Sequence, residues 1–166
     1  MKKLIAIVVL ALSFAWTSSA QIKSVGVRGG YGLEASIQQW FGYSSPQFVE
    51  VDLGMDLLQD HGFKLTGTYN WIVSNPSIAG SGAWDLYMGP GVSLGYVYDT
   101  PGTRNDDRPS LMAAFVVQFG MEFYLFQHFG ISVDVRPMIG YHFGAHDLYR
   151  GGLYGFIPSL ALRYEF

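Results

Sequence analysis

The chain has 166 residues, a length that suits one domain, and a formal net charge of −3. Charged residues make up only 14%, against about 25% in ordinary soluble domains, while aromatics reach 16% and glycine occurs 21 times. Mild charge without a basic patch argues against a nucleic-acid partner, and the lack of cysteine excludes disulfides, thiol catalysis, cysteine-based zinc sites and a lipoprotein anchor.

Met1-Lys2-Lys3 supplies a positive start, Leu4 to Trp16 an apolar stretch, and Ser18-Ser19-Ala20 small residues of the kind a signal peptidase reads. This pattern predicts a secretory signal peptide over residues 1–20, cut after Ala20, and a mature domain over 21–166. The apolar stretch is short for a membrane anchor, and no later run approaches the ~20 residues of a spanning helix.

From there the chain alternates with period two, the spacing of a strand that presents one face outward and the other inward. A first strand at about Ser24 to Tyr31 turns Val25, Val27 and Tyr31 outward and Arg28 inward. Gly29-Gly30-Tyr31-Gly32 reads either as a tight turn or as a kink in one long strand over 24–41. Next, Leu33, Ala35, Ile37 and Phe41 oppose Glu34, Ser36 and Gln38, with polar Gln39 breaking the apolar row. Val49, Val51, Leu53, Met55 and Leu57 oppose Glu50, Asp52, Gly54 and Asp56. Phe63, Leu65, Gly67, Tyr69 and Trp71 oppose Lys64, Thr66, Thr68 and Asn70. The fifth run sets Trp84, Leu86, Met88, Pro90, Val92, Leu94, Tyr96 and Tyr98 against Asp85, Tyr87, Gly89, Gly91, Ser93 and Gly95.

The last three runs have outward rows free of charge. Leu111 to Leu125 opposes a row that includes Gln118, Gly120 and Glu122. Ile131 to Phe143 opposes Ser132, Asp134, Arg136, Met138, Gly140 and His142. Tyr154 to Phe166 opposes Gly155, Ile157, Ser159, Ala161, Arg163 and Glu165. The expected fold is an all-β, eight-stranded antiparallel up-and-down transmembrane barrel. Pro90 and Pro137, inside strands, predict local irregularities.

With the C-terminus on the periplasmic side, 42–46, 74–82 and 126–128 become periplasmic links. Residues 58–62, 100–109 and 144–152 become external loops. This orientation places Trp71, Trp84, Tyr164 and Phe166 at the periplasmic rim. Tyr31, Tyr96, Tyr98, Tyr141, Phe143 and Tyr154 fall near the outer rim.

An eight-stranded lumen is about wide enough for its own side chains, so inward charges must pair. The inward charges are Arg28, Glu34, Glu50, Asp52, Asp56, Lys64, Asp85, Glu122, Asp134, Arg136 and Arg163. Arg28, Glu122, Asp134, Arg136 and Arg163 form a candidate ion-pair network that plugs the lumen, the alternative being an ion or proton path. Glu50, Asp52 and Asp56 form a candidate cation site, against the plainer reading of wetted acids at the lumen mouth. His142 and His146 lack further zinc ligands in reach, so no metal is expected. His142 and Ser159 fall inward on neighbouring strands, but match no motif of a lipid-modifying enzyme. Gly26, Gly29, Gly30 and Gly32 precede no helix and make no nucleotide site, and no cofactor is expected. Thr103 to Arg108 is a mixed-charge external loop, either solvated or in contact with lipopolysaccharide phosphates or a partner.

Leu160 to Phe166, alternating and ending on an aromatic, looks like the C-terminal signal read by the barrel assembly machinery of Gram-negative bacteria. The whole of 21–166 resembles small eight-stranded outer-membrane barrels of the OmpA-domain, OmpX and OmpW kind. Gly120 to Tyr124 and Gly130 to Pro137 resemble a widespread group of such proteins with no assigned activity. The resemblance implies outer-membrane location, contact with lipids and lipopolysaccharide, and that assembly machinery as a partner during insertion. It leaves function open, because the fold hosts pores, adhesins, enzymes and scaffolds. The expected role is structural or interactive, with a closed lumen and no enzymatic activity. The alternatives are a narrow pore or transport accessory, and a lipid A-modifying enzyme.

Overall fold

The computed structural model describes residues 22–30, 32–41, 47–57, 62–74, 84–97, 110–126, 128–143, 147–149 and 158–166. The expected signal peptide, Tyr31, Tyr98, His146, Tyr154 and the loop Thr103 to Arg108 lie outside them. Ten strand segments appear: β1 (Ile22–Gly29), β2 (Gly32–Phe41), β3 (Gln47–Asp56), β4 (Gly62–Ser74), β5 (Trp84–Val97), β6 (Ser110–Phe126), β7 (Phe129–Val135), β8 (Met138–His142), β9 (Asp147–Tyr149) and β10 (Ser159–Glu165).

These segments close as eight antiparallel staves. Neighbours in sequence pair from β1 through β6, β6 pairs with both β7 and β8, and β10 pairs with β7 and with β1. β7 and β8 are one stave, and β9 with β10 supplies the stave beside it. Ile22 and Phe166 mark one end of the barrel, called here the near end, where the Phe166 N–H donates to the Lys23 carbonyl at 2.9 Å. The distal end carries Gly29, Gly62 and His142.

Following partners round the wall gives the barrel's stagger. Ser132 faces Ala161, then come Arg28, Glu34, Gly54, Lys64, Gly95 and Met112, and the path returns at His142. It comes back to its starting stave ten residues along, a shear that tilts eight strands by about 40°.

The expected rows hold, with corrections at their ends. Residues 24–41 are two antiparallel strands, with Gly29 opposite Leu33, and not one kinked strand. The run expected as a single strand over Ile131 to Phe143 starts at Phe129 and is interrupted at Arg136-Pro137. Asp147 to Tyr149, expected in a loop, forms a strand on β8, and Ser74, expected in a turn, ends β4.

Both prolines act by removing an N–H rather than by shifting register. The β4–β5 ladder stops at Thr68–Gly91 and resumes at Trp71–Met88, skipping Pro90 with no change of register. Phe119–Val135 and Val116–Met138 continue one register across Pro137, whose carbonyl still accepts the Val117 N–H at 3.1 Å. Val117, which faces Pro90 on its other side, thus sits between two ladder gaps. The actual register shifts occur at Ile22/Ser24, Ile72/Ser74 and Tyr124/Phe126, all at the near end.

Burial is inverted relative to a soluble domain. The outward rows expose large apolar side chains, with Val92 at 62%, Leu33 at 61% and Phe63 at 60%. Polar and charged side chains outnumber apolar ones among the buried residues described. Besides Phe48, Tyr87 and Ala161, the described buried apolar side chains form one small cluster of Val97, Met112, Ala114, Val116 and Met138 against the β5, β6 and β8 walls.

Glycines mark where the wall is tight. A Cβ on inward Gly89 would overlap the Tyr69 carbonyl oxygen and lie 2.8 Å from Asn70 Cα, whereas outward Gly67 has nothing within 4 Å. Gly89→Ala should therefore destabilise the barrel by about 1–3 kcal/mol, and Gly67→Ala should be neutral or mildly stabilising. Urea unfolding in detergent micelles measures both, and equal effects would contradict this packing.

Candidate functional site: the lumen charge network

Three arginines meet on one carboxylate oxygen. Glu50, on β3, accepts at Oε1 from Arg28 of β1, from Arg136 Nη2 at 2.8 Å and from Arg163 Nη2 of β10 at 2.7 Å. Ser36 Oγ donates to the same oxygen at 3.2 Å, while Gln38 and Gln118 donate to Oε2 at 3.3 and 3.4 Å. Glu50 is fully buried, and the three arginines are 5% exposed or less. Guanidinium suits this place because its fork reaches several acceptors at once and never loses its charge.

Each arginine has further acids. Arg28 donates from Nη1 to Asp134 Oδ1 at 2.5 Å and lies 3.7 Å from Asp52. Arg136 approaches Asp52 at 2.6 Å and Glu34 at 3.5 Å. Arg163 Nη1 donates to Ser132 Oγ at 2.5 Å and to Glu122 at 3.2 Å. Tyr87 completes the set by donating its hydroxyl to Asp134 at 3.3 Å. Gly120 stands between Tyr87 and Asp134 in the ladders, and any Cβ there would collide with the Tyr87 hydroxyl. The missing side chain is what lets that bond form.

All five residues expected in the plug, Arg28, Glu122, Asp134, Arg136 and Arg163, therefore join one network. The sequence reading separated Glu50 and Asp52 from it as a cation site. In the structure the cations beside these two carboxylates are guanidinium groups, and Asp56 lies at the end of β3, its side chain outside the described set. No cluster of metal ligands occurs among the described residues. Glu50 as the centre, with Tyr87, Gln38, Gln118, Ser36 and Ser132 as supports, was missed. Their inward placement was visible, but which inward residues meet across the lumen depends on the shear.

Much of the remaining polar interior is also bonded. Gln118 Oε1 accepts from Thr68 at 2.6 Å and from Asn70 at 3.0 Å, and Thr66 pairs with Ser93 at 2.9 Å. At the near end Trp40 stacks on Phe48 and Phe48 meets Tyr87 edge-on, which fills the section below the arginines. At the distal end a cleft beside Arg28, Glu34, Lys64, Arg136 and Ser159 has room for about 20 Å³, one or two waters. His142 contacts Ser110 at 2.9 Å and the Val97 carbonyl at 3.2 Å, whereas Ser159 lines that cleft. His142 and Ser159, which match no motif of a lipid-modifying enzyme, thus have separate surroundings.

What this arrangement does chemically is hold fixed, mutually compensating charges inside the barrel. Glu50→Gln would leave three guanidinium groups around a neutral amide and should cost about 3–5 kcal/mol. Asp134→Asn should cost less, because Arg28 keeps Glu50. Urea titration of the two variants in micelles ranks them, and the reverse order would remove Glu50 from the centre. No protein-family model, curated protein or solved structure matches the chain.

Proposed function

We propose that this chain is an integral β-barrel of the outer membrane of Gram-negative bacteria, sealed by its ion-paired lumen and serving a structural or interaction role. The observation that carries the reading is the inverted burial: apolar side chains face out all round the wall while charges fill the inside. Water gives no reason for such an outer surface, whereas lipid requires it. From Trp84 to Tyr96 the outward row of β5, rising about 3.3 Å per residue at a tilt of about 40°, covers roughly 30 Å, the thickness of a hydrocarbon core.

Aromatics at the two ends support the same reading. Tyr69 with Trp71, and Phe129, Tyr164 and Phe166 with His128, form ring contacts toward the near end. Tyr141 with Phe143 does so toward the distal end. In this reading residues 1–20 are the secretory leader and the assembly machinery reads Leu160 to Phe166. The near end faces the periplasm, and the distal loops meet lipopolysaccharide. The role contains no catalytic step.

Expressed at full length in a Gram-negative host, the protein should fractionate with the outer membrane and lack its leader. Recovery in the soluble or inner-membrane fraction would sink the proposal. Val92→Arg, mid-wall, should lower stability in lipid by roughly 2–4 kcal/mol. In planar bilayers no unitary conductance is expected, and regular ion-selective openings would replace the scaffold with a pore.

A further inference from the structure

The two halves of the lumen differ in charge balance. Around Glu50, the acids Glu34, Glu50, Asp52 and Asp134 face Arg28, Arg136 and Arg163, with Lys64 buried on the same side. Toward the near end stand Asp85, Glu122 and Glu165. Arg163 is shared between Glu122 and Glu50. Lys23 lies 3.7 Å from Glu165 and 3.8 Å from the centre of the Trp40 ring. No cation among the described residues is left for Asp85.

Asp85 is 4% exposed, and directly across the β5–β6 ladder it faces Glu122, which is 1% exposed. Like charges in that position repel. Tyr124 donates its hydroxyl to Asp85 Oδ2 at 2.7 Å, but Oδ1 is buried with no hydrogen-bond partner. Glu165 Oε1, beside Lys23, also lacks a hydrogen bond. A buried carboxylate oxygen without a counter-charge is strongly unfavourable. Tyr124 is half-buried and the Lys23 side chain 36% exposed, so the groups nearest Asp85 lie where the interior meets the near end.

We propose that this near-end cluster binds one small monovalent cation on Asp85, either an alkali ion or a primary ammonium. Asp85 is a single carboxylate with no cation beside it among the described residues, and its one charge matches a monovalent ion. The available donors are carboxylate oxygens and a phenol oxygen, which suit a hard ion or an N–H₃⁺ group. The set of three or more ligands that a multivalent metal would require does not occur among the described residues. This site is distinct from the guanidinium-filled region around Glu50, and it stands whether or not the barrel spans a membrane.

The test is the thermal midpoint of the full-length protein folded in neutral detergent, at constant ionic strength. Choline chloride, too bulky for the site, is replaced stepwise by NaCl, KCl or methylammonium chloride. At least one should raise the midpoint saturably, by roughly 5 °C, and which one identifies the ligand class. Asp85→Asn keeps an acceptor for Tyr124 and removes the charge. It should melt at or above the wild type in choline and ignore the other salts. Equal midpoints in all four salts, or an unchanged response in Asp85→Asn, would overturn the proposal. If the variant does not fold, the wild type decides alone: its ²³Na, ³⁹K and methylammonium methyl-proton lines would all stay unbroadened if the site did not exist.

Discussion

Glu50 Oε1 is the constraint on which the interior depends. It lies in a tube too narrow for bulk water and holds three guanidinium groups carried by three different staves. Without it each of those arginines would keep one close acid but the three would lose the charge that joins them, and a buried guanidinium needs close acids to offset its desolvation. Their secondary acids, Asp52, Asp134, Glu34 and Glu122, spread the charge but do not replace the centre. The network thus works as a cross-brace. It fixes the spacing of walls whose backbone bonds run only round the circumference.

The outside obeys the opposite rule, and period two reconciles the two. Each stave turns mainly apolar side chains outward and mainly polar, charged or small ones inward, so no rearrangement of side chains could exchange the faces. The exceptions are informative. Pro90 and Pro137 each delete a ladder bond, and both fall next to Val117 on the outward face. The sheet keeps its register there because the partners on either side of each gap remain paired.

The architecture was legible in the sequence because its signal is local. Alternation within a strand needs no knowledge of neighbours, and the rows from Phe63 to Trp71 and from Leu111 to Leu125 could be written down directly. The interruption at Pro137 was marked by the residue itself. The centre of the network was not legible. Arg28, Glu122, Asp134, Arg136 and Arg163 were recognisable as partners because opposite charges faced inward on neighbouring staves. Glu50 was grouped instead with the acids of its own strand. Its meeting with Arg163 depends on stagger round the whole wall, and alternation carries no record of shear. The short strand at Asp147 to Tyr149 escaped for a related reason. Three residues are too few to display a period, and only pairing with β8 defines them.

The shear of ten has a consequence for the order of assembly. Arg163 and Glu50 are 113 positions apart in the chain, and Arg28 and Asp134 are 106 apart. Neither contact can form in a sheet grown hairpin by hairpin from one end, since each needs the β1–β10 seam to bring first and last staves together. Until that seam zips, the inward charges need water or a chaperoning surface. Closing the seam then excludes water and forms the ion pairs in one step, so the final event of folding is also the most cooperative one.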